Sequence, residues 1–361
     1  MASSSNRLRR LWLQIHKWLG ITLVVLIVPI SLTGAALVWH DWLDEQVNPQ
    51  RYPKAGAAVL PPSTYSAAAL RLARPGEQLA SLSFPSGGHG SVQATLVKQN
   101  PGGGRPQRAW VWLDPRTAAP IERAGGNEGL VRVLHVLHGS LMVPGLGRQI
   151  VGWVGVAMLL SSLTGLWLWW PLKGGFARGL RWRRRPQLDA NLHHQAGFWV
   201  AIPLAMLSLT GVWISFPAFF GALTGAPAGG PPGGGGGAPL AATRLAPDTA
   251  LAAAWAQGRG PIVSLAWPTE RSPEWKAAFA SRAEVTVDDA TGAARPLPQK
   301  PETLARTMRR LHDGTGMGPV WQTVIFLGGI LPALLAVTGI TMWLRVRRRR
   351  LKSERLQPAT V

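Results

Sequence analysis

The sequence holds 8 histidines and no cysteine, so any metal or prosthetic group must be held by imidazole, thioether or oxygen. Disulfides, thiolate-bound iron-sulfur clusters, zinc-thiolate sites and CxxCH haem attachment are excluded. Four histidines stand apart by position. His16 and His193 each lie four residues before a glycine, Gly20 and Gly197, at the head of a long apolar run. His138 and His312 each precede another such run. Residues i and i+4 share a helix face. The spacing therefore predicts an imidazole above a glycine, where the missing side chain makes room for a flat macrocycle. Imidazoles facing one another across a bundle axis suit axial ligation of a b-type haem. The two pairs imply two haem b groups, one near each membrane face, and a relay for electrons between them. From His16 to Thr33 is about 25 Å of helix at ~1.5 Å per residue, enough to bracket most of a membrane.

Other readings compete. An interfacial histidine can anchor a helix end as Trp does. Four at matched positions, where polar side chains are costly without function, favour a ligand role. No carboxylate stands beside the pairs within the apolar runs, and two histidines are too few for tetrahedral zinc, which favours haem over a bare ion. His194 follows His193 but points about 100° around the helix, so either could be the axial ligand, the other supporting it. His135, three residues before His138, is a further candidate for the outer site; His40 is a weaker one, and His89 in SGGHGS reads as a solvated loop residue.

The elements that must position these residues are legible in the hydropathy pattern. Windows from Trp18 to Trp39, Gln149 to Leu172, Gln195 to Phe220 and Pro319 to Leu344 are long, apolar and uncharged. Each supplies the ~20 residues that span a hydrocarbon core, and four transmembrane helices are predicted. The chain divides accordingly into helix 1 (1–40), an insert (41–147), helix 2 (148–172), a basic loop (173–193), helix 3 (194–220), a second insert (221–318), helix 4 (319–344) and a basic tail (345–361). The formal charge is +21, with 47% of residues hydrophobic. Basic residues cluster at Arg7 to Lys17, Lys173 to Arg185 and Arg345 to Arg355. These flank membrane ends, so the charge is a topology signal rather than a nucleic-acid surface. The termini are expected in the cytoplasm of a bacterium and the inserts in the periplasm, with the chain in the inner membrane among its lipids. The first apolar run exceeds a signal-peptide core, so an uncleaved helix is expected. Trp12, Trp18, Trp39, Trp42, Trp167, Trp169, Trp170 and Trp343 lie near helix ends, as in an interfacial aromatic belt. Arg132, Arg309 and Arg310 stand near the outer histidines in sequence, as propionate partners or as ordinary surface charges.

The two halves keep a common register. SLTG occurs at Ser31 to Gly34 and at Ser208 to Gly211, and the same offset carries Gly20 onto Gly197 and His16 onto His193. In the second and fourth helices Thr164-Gly165 falls on Thr338-Gly339, Gly155 on Gly329, Trp169 on Trp343 and His138 on His312. Asp114 and Thr117 likewise fall on Asp288 and Thr291. An internal two-fold duplication of helix, external domain and helix is expected. Each insert opens with a helical stretch, Ser63 to Ala73 or Asp248 to Gln257, followed by strand-like segments: Val92 to Val97 and Trp110 to Leu113, then Ile262 to Trp267 and Val285 to Val287. Both read as small α+β domains. Gly225 to Pro239 is a low-complexity tether.

The motifs IHKWLG with SLTG, LHGSLMVPGLGRQIVGWVG with SSLTGLWLWWP, LHHQAGFWV with SLTG, and LHDGTGMGPVWQ with VTGITMWLRVRRR resemble the four helices of PepSY-associated transmembrane proteins. WLDPRTAAPI and VDDATGAARPL resemble the PepSY hairpin. The resemblance spans nearly the whole chain except the tether and termini. It implies an α-helical membrane bundle with two extracytoplasmic PepSY-like inserts. One branch of the family consists of haem proteins that reduce ferric siderophores in the periplasm for iron acquisition. Carried over, that implies haem ligands at His16, His193, His138 and His312, with a ferric siderophore as substrate. Some relatives carry a fused flavodoxin-reductase module; none is expected here, so the donor would be a separate reductase, a quinol or another partner. The competing reading is non-enzymatic, with PepSY domains binding or regulating peptides or proteases; a third is metal-ion transport. No GxSxG, HExxH or Walker motif suggests hydrolysis.

Overall fold

In a hydrocarbon setting every backbone N–H and C=O must be satisfied within its own segment, which drives apolar runs of this length into helices. The computed structural model describes residues 4–54, 56–85, 89–100, 106–170, 175–182, 186–225, 237–257, 260–298 and 302–355. In chain order come α1 (Ser4–Val38), α2 (His40–Val47), a 3-10 turn (Pro49–Arg51) and α3 (Pro62–Leu70). Strands β1 (Gln78–Ser83), β2 (Val92–Lys98), β3 (Gln107–Leu113) and β4 (Pro120–Gly125) follow. Then come α4 (Leu130–Ser140), α5 (Gly147–Trp169), α6 (Phe176–Gly179), α7 (Leu188–Ser215), α8 (Pro217–Thr224) and α9 (Pro247–Gln257). The chain closes with β5 (Ile262–Ala266), β6 (Glu274–Phe279), β7 (Glu284–Asp288), β8 (Ala294–Leu297), α10 (Leu304–Asp313) and α11 (Gly318–Arg355).

Two compact units result. One comprises residues 1–40, 133–227 and 302–361; the other comprises 41–132 and 228–301. In the first, α1, α5, α7 and α11 are each long and apolar enough to cross a membrane. Around the bundle α1 packs on α5, α5 on α7, α7 on α11 and α11 on α1. Small residues set the close approaches. A Cβ on Gly329 of α11 would lie 2.8 Å from Ala35 Cβ and 3.0 Å from the Ser31 carbonyl of α1. A Cβ on Gly155 of α5 would lie 3.0 Å from Val212 Cγ2 and 3.6 Å from the Ser208 carbonyl of α7.

The expected boundaries shift here. His138 and His312 are not continuous with the spans after them: they ride on the short helices α4 and α10, which belong to the helical unit, so each insert is shorter than expected. The third span runs Leu188–Ser215 rather than 194–220, because Pro217 cannot continue it and opens α8 instead. After α4, Leu141 and Met142 both take the left-handed conformation, with φ 51° and 58°. The matching turn after α10 uses Gly314, Gly316 and Gly318 at positive φ. The tether falls largely on 226–236, outside the described residues.

The second unit corrects the expectation of two separate small domains. All eight strands form one antiparallel sheet in the order β4-β3-β2-β1-β5-β6-β7-β8. Its halves join where β1 meets β5, with Ser81 opposite Ala266, Leu82 opposite Leu265 and Ser83 opposite Ser264. Each four-stranded half would otherwise leave an unpaired edge. Helices α3 and α9 pack on this sheet, and Tyr65, Leu82, Leu96, Leu113, Leu265 and Trp275 are fully buried in the shared core. The starts of α3 and α9 are tied, Ser63 N and Oγ donating to the Asp248 carboxylate at 2.8 and 2.5 Å. The two hairpin turns are alike: Asp114 Oδ1 accepts from Arg116 N, Thr117 N and Thr117 Oγ1, and Asp288 Oδ1 accepts from Ala290 N, Thr291 N and Thr291 Oγ1. Such Asx turns account for Asp-x-x-Thr in both inserts.

Candidate functional site

The helical unit brings the four singled-out histidines together in two pairs. The rings of His16 on α1 and His193 on α7 lie 6.3 Å apart between centroids, with an interplanar angle of 84°. Those of His138 on α4 and His312 on α10 lie 6.0 Å apart, at 40°.

Each imidazole is held in one way. His16 Nδ1 lies 3.1 Å from the Ser161 carbonyl and 3.1 Å from Thr164 Oγ1. His312 Nδ1 lies 3.1 Å from the Leu207 carbonyl and 3.0 Å from Thr210 Oγ1. His193 Nδ1 lies 2.9 Å from Thr338 Oγ1, and the ring also bonds the Leu335 backbone. His138 Nδ1 lies 2.9 Å from the Ile30 carbonyl. The motif is the same in all four: an imidazole rests on the helix three residues before the threonine of a Thr-Gly pair. A carbonyl only accepts, so Nδ1 carries the proton and donates. Nε2 is left as the lone-pair nitrogen, the state in which histidine binds a metal while its other nitrogen holds the ring in place. Loss of hydration pushes His138 below the usual imidazole range and His312 to about 4, so both are neutral at physiological pH.

The glycines make room for this contact. A Cβ on Gly34 would stand 2.7 Å from His138 Cε1; on Gly165, 3.1 Å from His16 Cε1; on Gly211, 3.2 Å from His312 Cε1; on Gly339, 3.5 Å from His193 Cε1. Each inner imidazole touches a glycine of another helix, besides sharing a helix face with the glycine four residues on in its own. The glycine facing it comes from a neighbouring helix, Gly165 for His16 and Gly339 for His193. A Cβ on Gly20 would meet nothing within 4 Å, and one on Gly197 only Leu335 Cδ2 at 3.8 Å. The repetition of Thr-Gly in all four spans is the signal in the sequence that marks these seats.

The remaining candidates fall elsewhere. His194 is turned from the pair: its Nε2 donates to the Gly179 carbonyl at 3.1 Å, and its ring stacks on Trp169 at 5.7 Å. Helical rotation thus gives His193, not His194, to His16. Trp169 is itself buried, stacked on Phe198 at 4.1 Å, and is not part of an aromatic belt; Trp18, Trp42, Trp167 and Trp170 are exposed as a belt requires. His135 does not join His138 and His312; it faces His40, with ring centroids 6.2 Å apart. His89 is not simply solvated, since Nε2 lies 3.1 Å from Glu45 Oε1 and the ring stacks on Tyr52. Arg310 bonds Glu302 and the Thr315 carbonyl, and Arg132 bonds Asn127. Among the described residues no group of three or more His, Asp or Glu side chains is placed to hold a metal ion.

Compared with curated proteins, the chain finds no match. Its sequence does match the PepSY-associated TM region over residues 13–345, which takes in α5 and α7, most of α1 and α11, both histidine pairs and the whole sheet. A membrane protein built of four apolar helices, with the sheet unit inserted between them, the chain belongs to the PepSY-associated TM region family.

Proposed function

We propose that the protein carries electrons across the bacterial inner membrane by means of two b-type haems and reduces a ferric chelate, such as a ferric siderophore, on the periplasmic side. The observation that carries this reading is the fourfold histidine motif, with Nδ1 committed to a helix and Nε2 left to ligate. With metal–imidazole bonds of about 2 Å and ring nitrogens about 1.1 Å from the ring centre, two imidazoles on opposite sides of one metal ion have centroids about 6.3 Å apart. The pairs stand at 6.3 and 6.0 Å. Two ligands per site leave the equatorial positions to a macrocycle. The space at Gly20, where a Cβ would touch no protein atom, lies on the helix face of His16 and suits a flat group.

When bound, haem supplies the one-electron chemistry; the chain supplies its ligands and sets its surroundings. His16 and His193 would hold the inner group, His138 and His312 the outer one. The carbonyls of Ser161 and Ile30 orient the rings and raise the basicity of Nε2. Along α1, His16 and the Ile30 carbonyl that grips His138 are about 20 Å apart at ~1.5 Å per residue. The basic clusters at both termini and between the second and third spans support a cytoplasmic placement for the His16 end. A donor of electrons, a reductase or a quinol, would act there. The shared register of the halves, down to Gly155 and Gly329 at matching helix contacts, supports descent from one duplicated unit.

The test is a dithionite-reduced minus oxidised spectrum of the purified protein, with haem quantified per chain. Two b haems are expected, one in His138→Ala or His312→Ala, and one in His16→Ala or His193→Ala. A colourless preparation after haem-supplemented expression, or two haems surviving in His138→Ala, overturns the reading.

A further inference from the structure

A third imidazole pair lies outside the fourfold motif. His40, first residue of α2, and His135 on α4 have ring centroids 6.2 Å apart and an interplanar angle of 89°. Both residues are exposed, whereas His16, His138, His193 and His312 are partly covered by their Thr-Gly helices. The pair has no counterpart in the second half, where Pro217 and Arg309 occupy the matching positions. It is a single feature laid on one side of a repeating pattern.

The separation discriminates among ions. Imidazoles bound to one ion at a tetrahedral angle would have centroids about 5 Å apart, and on opposite sides about 6.3 Å. A pair at 6.2 Å therefore suits tetragonal or square-planar coordination, the geometry of Cu(II) and Ni(II), rather than tetrahedral zinc. Of these, Cu(II) binds nitrogen ligands more tightly. Exposure leaves the remaining positions to water, which a hydrated ion accepts and an apolar macrocycle does not.

We propose that His40 and His135 form a surface site for an aquated transition-metal ion, Cu(II) above all. His135 is one helical turn from His138, so a bound ion stands beside the outer pair. Its redox role rests on the electron-transfer reading: a reduced haem held by the outer pair would be oxidised by one electron and Cu(II) reduced to Cu(I), which would keep the two imidazoles and shed bound water. Binding itself does not depend on that reading.

The full-length protein in detergent is titrated with Cu(II), bound copper is counted, and nitrogen coupling is read by electron paramagnetic resonance. Wild type is expected to bind one equivalent more than His40→Ala or His135→Ala, with nitrogen hyperfine structure lost in both, while His89→Ala keeps the full count. Equal copper in wild type and His40→Ala, or a spectrum showing only oxygen ligands, overturns the proposal. If His135→Ala does not fold, His135→Gln and His40→Ala decide the matter. A protein that lacks haem yet binds this copper refutes the electron-transfer reading and leaves the site standing; the converse result does the opposite.

Discussion

Replacing Gly34 by alanine puts the histidine motif under a graded strain. The new Cβ would lie 2.7 Å from His138 Cε1. Carbon atoms in contact prefer about 3.5–4.0 Å, so the imidazole must withdraw by roughly 1 Å. Its Nδ1 is 2.9 Å from the Ile30 carbonyl, and a shift of that size takes the pair beyond hydrogen-bond range. Leaving a buried donor and carbonyl unsatisfied costs about 1–3 kcal/mol. At 1.4 kcal/mol per factor of ten, whatever the outer pair holds is bound about 5–140-fold more weakly. The same change at Gly339 brings a Cβ to 3.5 Å from His193 Cε1, an ordinary contact. There the helix propensity of alanine, up to about 1 kcal/mol over glycine, makes the variant neutral or slightly more stable. Gly165→Ala and Gly211→Ala, at 3.1 and 3.2 Å, fall between. Thermal unfolding in detergent and haem content from the redox difference spectrum, measured on all four variants, give the ranking. Should Gly34→Ala match Gly339→Ala in both stability and haem retention, the argument that these glycines seat the imidazoles is refuted.

The sheet unit gives a pH test. Glu122 accepts from Arg51 Nε at 2.8 Å and from Gln50 Nε2 at 3.0 Å, and the Arg51 bond holds its carboxyl below the usual glutamate range. A depressed folded-state pKa stabilises fully above the unfolded value and loses that contribution as pH falls through the folded one. The thermal midpoint of wild type should therefore drop as pH falls from about 6 to about 3, and Glu122→Gln should start lower at neutral pH and fall less steeply; parallel curves would count against the pairing. At the turn after α4, Met142 is exposed and held at φ 58°. Left-handed backbone costs a non-glycine residue about 1–2 kcal/mol, so Met142→Gly should raise the midpoint by about 2–4 °C. A lower midpoint would show that the side chain contributes more than its backbone costs.

Much of the architecture could be read from the chain because its causes are local or compositional. A helix that meets hydrocarbon must be apolar over its whole length, so the four spans declare themselves. Asp114 with Thr117 and Asp288 with Thr291 announce their turns because the carboxylate bonds its own backbone. Strands β1, β4, β6 and β8 were less legible. QLASLS, PIERAG and EWKAAF are stabilised by the strands beside them rather than by their own residues. For the same reason nothing in either insert announced that β1 and β5 would pair and make one sheet of two.

The histidine site divides along the same line. Residue type, matched register and the family resemblance marked His16, His193, His138 and His312 from the sequence alone, because a polar ring at the head of an apolar run is costly wherever it packs. Periodicity along one helix relates His16 to Gly20, but it carries no information about how that helix is rotated against its neighbours. Interhelical packing set that rotation, through contacts such as Gly329 on Ala35 and Gly155 on Val212. It seated each imidazole on another helix's Thr-Gly pair, chose His193 over His194, and brought His40 to His135, none of which spacing along the chain could have decided.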